Sequence, residues 1–370
     1  MLHDCLRGTR VLDLSQYLPG PYAAQILADL GAEVVKLEPP AGDPMRALGP
    51  LDSDGLSAFY KLINAGKRVI RLDLKSEDGR AAFERLVAAA DVLIESFRPG
   101  ALARLGLGPE ALKALNPRLV HCALSGFGQT GPYAEKAGHD ITYMALGGGL
   151  ATSGPAERPV MAHPPTADYA SGQQAALATL AALLRRERSG EGAFLDLSIM
   201  ESVLAWQPLA LTGARRPDWA PTRGQALLNG GAACYQVYET ADGRFVALGA
   251  LEAKFWANFC RAVGRDDWVE RQNGILPQSD LIGEVSDLFA SQPLAHWEGL
   301  LAGVDCCFQV VLEPMEVPAH PQVAARGLVR DSDDDWLVEV LFPALLDGVP
   351  PQPRLPLREV EAVEVIAAWA

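Results

Sequence analysis

The sequence predicts an α/β protein, a mostly parallel sheet with helices packed on it, joined to a smaller α+β domain. Three observations carry that prediction. Short apolar runs alternate with amphipathic stretches through roughly the first 125 residues, prolines and glycines punctuate the helices, and the texture of the chain changes near residue 232. Thr9–Ser15 (TRVLDLS) reads as the first strand. Pro21 opens PYAAQILADLG, and Gly31 closes it, as expected for a helix with Pro in its first turn and Gly just past its end. Glu33–Glu38, Arg68–Leu74, Asp91–Phe97 and Arg118–Ser125 read as further strands. Between the third and fourth lies SEDGRAAFERLVAAA, a helix with Ala82, Phe83, Leu86, Val87 and Ala90 on its apolar face.

Residues 126–166 are rich in Gly and Pro, too irregular for long elements, and precede a long helix over Asp168–Glu187. Gly192–Asp196 is a strand and Ile199–Gln207 a helix. The domain reading assigns 1–207 and 325–370 to the large domain, 208–231 to a linker and 232–320 to the small α+β domain. That small domain opens with two strand-like runs, Ala233–Tyr238 and Arg244–Leu251, turned by Asp242-Gly243. Glu252–Val263 follows as a helix. The last 40 residues, containing VPPQPRLP, read as an extended tail.

Composition narrows the function. Of 370 residues, 49% are hydrophobic and 21% charged, which excludes a disordered chain and a disulfide miniprotein. The net charge of −14 argues against a nucleic-acid partner, which needs a positive face to displace counterions from phosphates. Six cysteines are scattered without C-x-x-C spacing, so free thiols and a reducing cytoplasm are expected. The opening MLHDCLRGTRVLDLS lacks a signal-like apolar region, and the longest nearly apolar run, Ala175 to Leu184, falls short of the roughly 20 residues a membrane span needs. The expectation is therefore a cytoplasmic protein without membrane contact.

Gly126-Phe127-Gly128-Gln129-Thr130-Gly131 matches G-x-G-x-x-G after a strand. A dinucleotide fold places that turn after its first strand and runs it into a helix, whereas here Pro132 and Gly138 follow, so NAD is not expected. The glycines instead suit a loop whose backbone comes close to a ligand. Three ionisable residues stand in glycine-rich surroundings: His139 in AGHDITY, Asp168 in TADYASG and Glu252 in GALEAKF. Each also has an ordinary structural reading, as a loop histidine, an N-cap and a helix-dipole partner. No His/Cys/Asp cluster has metal-ligand spacing, so no metal is expected.

Taken in order, GPYAAQILADLGAEVVKLEPPAGDP, NAGKRVIRLDLKSEDGR, ESFRPGALARLGLGP, NPRLVHCALSGFGQTGP and AGHDITY resemble the family III CoA-transferases. TADYASG, LNGGAACYQVYETADGRFVALGALEAKFW and HPQVAARGL continue the resemblance over essentially the whole chain, with the α-methylacyl-CoA racemase branch the nearest in pattern. The resemblance implies a large Rossmann-like parallel-sheet domain formed from both chain ends, a smaller α+β domain and an interlocked homodimer. It implies an acyl-CoA substrate, with no cofactor beyond its CoA moiety. It assigns His139 and Asp168 as the acid/base pair, with Glu252 supporting the histidine. For CoA it points to Leu72, Asp73, Leu74 and Lys75, to Ser96, Phe97 and Arg98, to Arg104, and to the segment from Gly138 to Tyr143. Lys36, Arg46 and Arg68 are further cations able to meet the nucleotide phosphates. Glu38 is followed by Pro39-Pro40 where racemases often carry Arg, which leaves the adenine-side contact open.

Two reactions fit these residues. One is epimerisation at the α-carbon of a 2-methylacyl-CoA, in which one of His139 and Asp168 removes the weakly acidic proton and the other returns a proton to the opposite face. In it, a buried His139 pairs with Glu252, and amides at the start of the long helix near Asp168 hold the enolate oxygen. The other is CoA transfer to a free carboxylic acid through an acyl-anhydride on Asp168. Asp168 is compatible with both; His139 with Glu252 favours the first.

Overall fold

The computed structural model describes residues 2–216, 222–332 and 336–370. The chain packs as two compact units, one of Met1–Gly147, Pro164–Trp206 and Pro318–Ala370, the other of Gly148–His163 and Gln207–Val317. In chain order the first unit runs β1 (Arg10–Asp13), α1 (Pro19–Asp29), β2 (Glu33–Glu38), α2 (Ala58–Asn64), β3 (Arg68–Arg71), α3 (Glu77–Ala89) and β4 (Val92–Glu95). It continues with α4 (Ala101–Arg104), α5 (Pro109–Leu115), β5 (Val120–Ser125), α6 (Asp140–Leu146), α7 (Thr166–Ser189), β6 (Ala193–Ser198) and α8 (Ile199–Leu204). The second unit carries α9 (Pro208–Gly213), β7 (Tyr235–Glu239), β8 (Phe245–Gly249), α10 (Ala253–Ala262), α11 (Ser279–Ala290), α12 (Leu294–Leu301) and β9 (Phe308–Val310). The chain then returns to the first unit with α13 (Pro321–Arg326), the antiparallel pair β10 (Val329–Asp331) and β11 (Val338–Val340), β12 (Arg358–Glu359) and α14 (Ala362–Trp369).

The first unit is built on a seven-stranded sheet of order β12-β3-β2-β1-β4-β5-β6, every pair parallel. Because helices cover both faces, its central strands are mostly apolar and buried nearly throughout; all of β4 (VLIE) is buried, Glu95 included. The strand order reverses direction at β1 and β4, the position at which open α/β sheets bind ligands beyond the carboxyl ends of their strands. Local chemistry sets the helices. Prolines open α1, the Ser76 hydroxyl accepts from the Gly79 amide at 3.0 Å to cap α3, and Gly190 ends α7 in the left-handed conformation (φ 73°). α1 lies close against α7 because position 172 is glycine: a Cβ there would stand 2.7 Å from the Pro19 carbonyl oxygen.

The resemblance's expectation of a sheet built from both chain ends is met. β12 pairs with β3, and Val365, Ile366 and Trp369 of α14 bury into the core with Phe83 and Leu86 of α3. The extended tail expected from the prolines is accordingly corrected. The proline run is irregular, but the residues after it complete the sheet, since an alternative solvated end would leave three large apolar side chains in water. In the second unit β7, β8 and β9 form an antiparallel sheet over a core of Trp256, Phe259, Trp268, Phe289 and Trp297.

Two segments sit differently from the sequence reading. Residues 148–163 group with the second unit, because Arg223 donates to the carbonyls of Ala151, Pro155 and Ala156 and the Asn229 amide to that of Thr152. Part of the expected linker 208–231 is helical: Pro208 opens α9, a short turn of Leu-Ala-Leu; residues 217–221 lie outside the described residues. Among the described residues no helix is long and apolar enough to cross a membrane.

Candidate active site

The chemistry gathers around two helix starts, those of α6 and α7. His139 is the residue that caps α6, with its amide donating to the Thr142 hydroxyl at 3.0 Å and its carbonyl accepting from that hydroxyl at 2.7 Å. Asp140, the first residue of the helix, reaches across to α7: its Oδ1 accepts from the amides of Ala167 (2.7 Å) and Asp168 (3.1 Å). The start of the long helix is thus tied to the His139 turn by one carboxylate oxygen, which satisfies two of the amides that any helix N-terminus leaves open. Asp168 itself is half-buried, and its carboxylate has no hydrogen-bond partner among the described residues. Burial, and after it the Asp140 charge, raise its pKa from 3.8 to about 7.

Aromatic rings frame this pair. The Tyr17 ring meets the His139 imidazole edge-on, centroids 5.9 Å apart. Tyr17 lies in the β1–α1 turn at the reversal of strand order, with φ 63°, a conformation uncommon outside glycine. That turn is pinned on both sides: the Gln16 amide donates to the Ser96 hydroxyl at 2.9 Å, and the Lys36 ammonium to the Ser15 carbonyl at 2.8 Å. Tyr22 and Tyr169 meet edge-to-face at 4.9 Å beside Asp168. The glycine-rich loop after β5 lies on Tyr143. A Cβ at Gly126 would come within 2.6 Å of the Tyr143 hydroxyl, and one at Gly138 within 2.6 Å of its ring. Those glycines are therefore required for the backbone to cross an aromatic face. Tyr143 is buried, and desolvation followed by the Asp168 charge pushes its phenol up to about 12.

The cations divide into two groups. Lys75, Arg98 and Arg104 are exposed and without a carboxylate partner among the described residues; they follow β3 and β4, at the carboxyl edge of the sheet. Leu72 and Leu74 are half-buried against the core beside Lys75, while the Asp73 carboxylate accepts from the Lys75 amide at 3.0 Å and fixes the turn. Phe97 is half-buried, its amide donating to Glu95 at 2.7 Å. The other group is already neutralised. Lys36 is buried against Asp43 at 2.8 Å, Arg46 pairs with Glu38 and Glu359 at 2.7 Å each, and Arg68 pairs with Glu33. The expectation that Lys36 meets a phosphate is corrected: a lysine on a strand covered on both faces needs an internal counter-ion, and Lys36 has one, while Arg46 and Arg68 are held in carboxylate pairs. Glu38, ahead of Pro39-Pro40, is likewise committed, accepting from the Tyr60 hydroxyl at 2.6 Å and from Arg46.

Three further expectations meet a different local arrangement. His139 is exposed in the chain rather than buried. The amides of Ala167 and Asp168, read as holding an enolate oxygen, are occupied by Asp140; those of Asp140 and Ile141 have no acceptor among the described residues. Glu252 lies in the second unit, exposed at the start of α10, where its charge, after burial, helps hold the Cys307 thiol up. Tyr17 was not picked out from the sequence, and Asp140 only as part of the Gly138 to Tyr143 segment expected to contact CoA, with no link to Asp168. An acid in a first helical turn reads as a partner of its own helix dipole, and nothing local announces a contact 27 residues away. Among the described residues no group of three or more His, Cys, Asp and Glu side chains could hold a metal ion.

The pattern for CoA-transferase family III matches residues 6–357. The chain is 35% identical over 345 residues to α-methylacyl-CoA racemase of Homo sapiens, covering 92% of this chain and 87% of that one. It is also 35% identical over 391 residues to succinate–glutarate CoA-transferase of Agrobacterium fabrum, covering 97% and 96% of the two chains. Among solved structures it is similar to a CaiB/BaiF family protein from Brucella suis, with a TM-score of 0.85 and 29% identity over 99% of each chain.

Proposed function

This chain belongs to CoA-transferase family III, and from that premise we propose that it epimerises the α-carbon of a 2-methylacyl-CoA. The observation that carries the reading is the joint of the His139 turn to the Asp168 helix through Asp140, with Asp168 titrating at about 7. A general acid or base works best when its pKa lies near the working pH, and an ordinary aspartate does not meet that condition. One of the two residues takes the α-proton, and the electron pair of the broken C–H bond moves into the enolate. The other delivers a proton to the opposite face as the enolate collapses to the thioester, and exchange of the two roles runs the reaction backwards.

In this proposal the enolate oxygen takes hydrogen bonds from amides not committed elsewhere, and Glu252 supports the His139 imidazole. CoA lies along the carboxyl edge of the sheet, its phosphates on Lys75, Arg98 and Arg104 and its other contacts from Leu72 to Leu74, Ser96, Phe97 and the segment from Gly138 to Tyr143. The location after β3 and β4 and the absence, among the described residues, of a carboxylate partner for the three cations support this placement. The CoA moiety of the substrate is the one cofactor called for, with no metal and no nicotinamide, and the working form is an interlocked homodimer in the cytoplasm.

Incubation of a single epimer of 2-methylacyl-CoA in D2O tests the reaction. Deuterium should enter the α-position as configuration is lost, and His139→Ala and Asp168→Ala should each slow uptake by at least 100-fold. The second reading, CoA transfer, is favoured by the Asp168 carboxylate, which has no hydrogen-bond partner among the described residues; in that reading it attacks a thioester carbonyl, forms an anhydride and releases CoA thiolate. Label passing from a free acid into acyl-CoA, with no deuterium uptake and with His139→Ala still active, establishes that reading and overturns the first.

A further inference from the structure

Asp140 has no part in either reaction as written, yet its carboxylate hydrogen-bonds across the two helix starts, from the first residue of α6 to two amides of α7. We infer that Asp140 is a positioning residue, which holds the Asp168 end of the long helix to the His139 turn and sets a second carboxylate beside the Asp168 carboxyl. The inference rests on the reading of Asp168 as the reacting carboxyl.

The geometry supplies the first half. α6 and α7 are separated in sequence by a glycine- and proline-rich segment, part of which packs with the second unit, so chain connectivity alone does not hold residue 139 to residue 168. One Asp140 oxygen accepts from two consecutive α7 amides, at 2.7 and 3.1 Å, and the second of these belongs to Asp168 itself. A rotation of α7 about its axis breaks one of the two bonds. The carboxylate therefore fixes the azimuth at which the Asp168 side chain leaves the helix as well as the distance between the helix starts.

Electrostatics supply the second half. A helix N-terminus normally favours an ionised carboxylate nearby, through its open amides and its dipole. Here the amides at that end are occupied by a different carboxylate, so Asp168 meets a negative charge where it would otherwise meet donors. The ionisable groups on the elements packed against α7 are Tyr22 and Asp29 on α1, the latter paired with Arg354, His121 and Cys122 on β5, His139 and Tyr143 at α6, Asp196 on β6 and Glu201 on α8, besides Asp140. Of these, the Asp140 charge is the one that acts on Asp168, adding to burial in the same direction. A plain helix cap would make the same hydrogen bonds without this consequence.

The test separates charge from shape. Asp140→Asn keeps an acceptor oxygen for both amides and removes the charge; Asp140→Ala removes both. The Asp168 carboxyl is followed by carbon-13 NMR of the full-length protein labelled at aspartate Cγ, with its signal assigned through Asp168→Asn. In Asp140→Asn the Asp168 midpoint should fall by about one pH unit, and the matching limb of the kcat/KM profile should fall with it. Asp140→Ala should lose kcat more than KM at every pH, and the asparagine should restore most of it below pH 7. An unchanged or higher Asp168 midpoint in Asp140→Asn overturns the inference, as does an alanine variant as active as the wild type. The NMR midpoint needs no substrate, so a wild-type protein inert toward acyl-CoA overturns the proposed reaction while the fall of the midpoint still upholds the role of Asp140.

Discussion

Replacing Asp168 by asparagine should make the protein more stable, increasingly so as the pH rises, while abolishing its activity. The carboxyl titrates at about 7 in the fold against 3.8 for an ordinary aspartate, first because it is desolvated and second because Asp140 is charged. A folded-state pKa above the unfolded one means that the native state binds the proton more tightly than the unfolded chain. The contribution to stability is then complete below about pH 4, is lost as pH rises toward 7, and is level beyond. At about 1.4 kcal/mol per pH unit, carrying an ionised Asp168 costs the native state roughly 4 kcal/mol at most. Asparagine has the same shape and never ionises, so the gap between variant and wild type should widen by roughly 2–3 kcal/mol between pH 5 and pH 8. In calorimetry this corresponds to a melting temperature about 5 °C further above the wild type at pH 8 than at pH 5. An increment that is the same at both pH values, or a variant less stable than the wild type at pH 8, refutes the claim that Asp168 is held near neutrality by its surroundings. On the proposed reaction, the predicted gain is the stability forgone in poising this carboxyl for proton transfer.

Two further outcomes follow from how the cations are engaged. Arg104→Ala should raise the KM for acyl-CoA by about tenfold at low salt and leave kcat within about twofold, since it removes a charged donor that has no carboxylate partner among the described residues; steady-state kinetics that show an unchanged KM exclude a phosphate contact there. Lys67→Met should cost about 3–5 kcal/mol in urea unfolding, because the buried Lys67 ammonium serves Asp13, the Pro21 carbonyl and the Asn64 side chain at 2.8, 2.8 and 2.9 Å. Pairing it with Asp13→Asn should recover part of that loss, and a single variant that loses less than about 1 kcal/mol contradicts the network.

Those two side chains also mark the boundary of what the amino-acid sequence discloses. The sheet was legible because each central strand is an apolar run bounded by helix punctuation, signals that are local and survive without tertiary knowledge. β12 was not, since two residues after a proline run carry no strand signal; they become a strand only because β3 offers a free edge and α14 has an apolar face to bury. The grouping of residues 148–163 was hidden for a related reason, being decided by the reach of Arg223 and Asn229 from another part of the chain. At the site, His139 and Asp168 could be singled out by their glycine-rich contexts, and the structure joins their turns.

What the pattern of residues could not convey is which polar groups are already engaged. Lys36, Arg46 and Arg68 looked as suitable for phosphates as Lys75, Arg98 and Arg104, because sequence shows a charge and not its partner. The fold separates them on a physical criterion. Lys36, under helices on both sides, must be neutralised inside, and Arg46 and Arg68 already hold carboxylate partners, whereas Lys75 and Arg98, on turns beyond strand ends, stay in water and open to a ligand. The same criterion displaces the amides of Ala167 and Asp168 as oxyanion donors, since Asp140 has taken them. Burial first, and then the charge of the Asp140 carboxylate that has taken those amides, are why Asp168 is the carboxyl that keeps its proton near neutral pH.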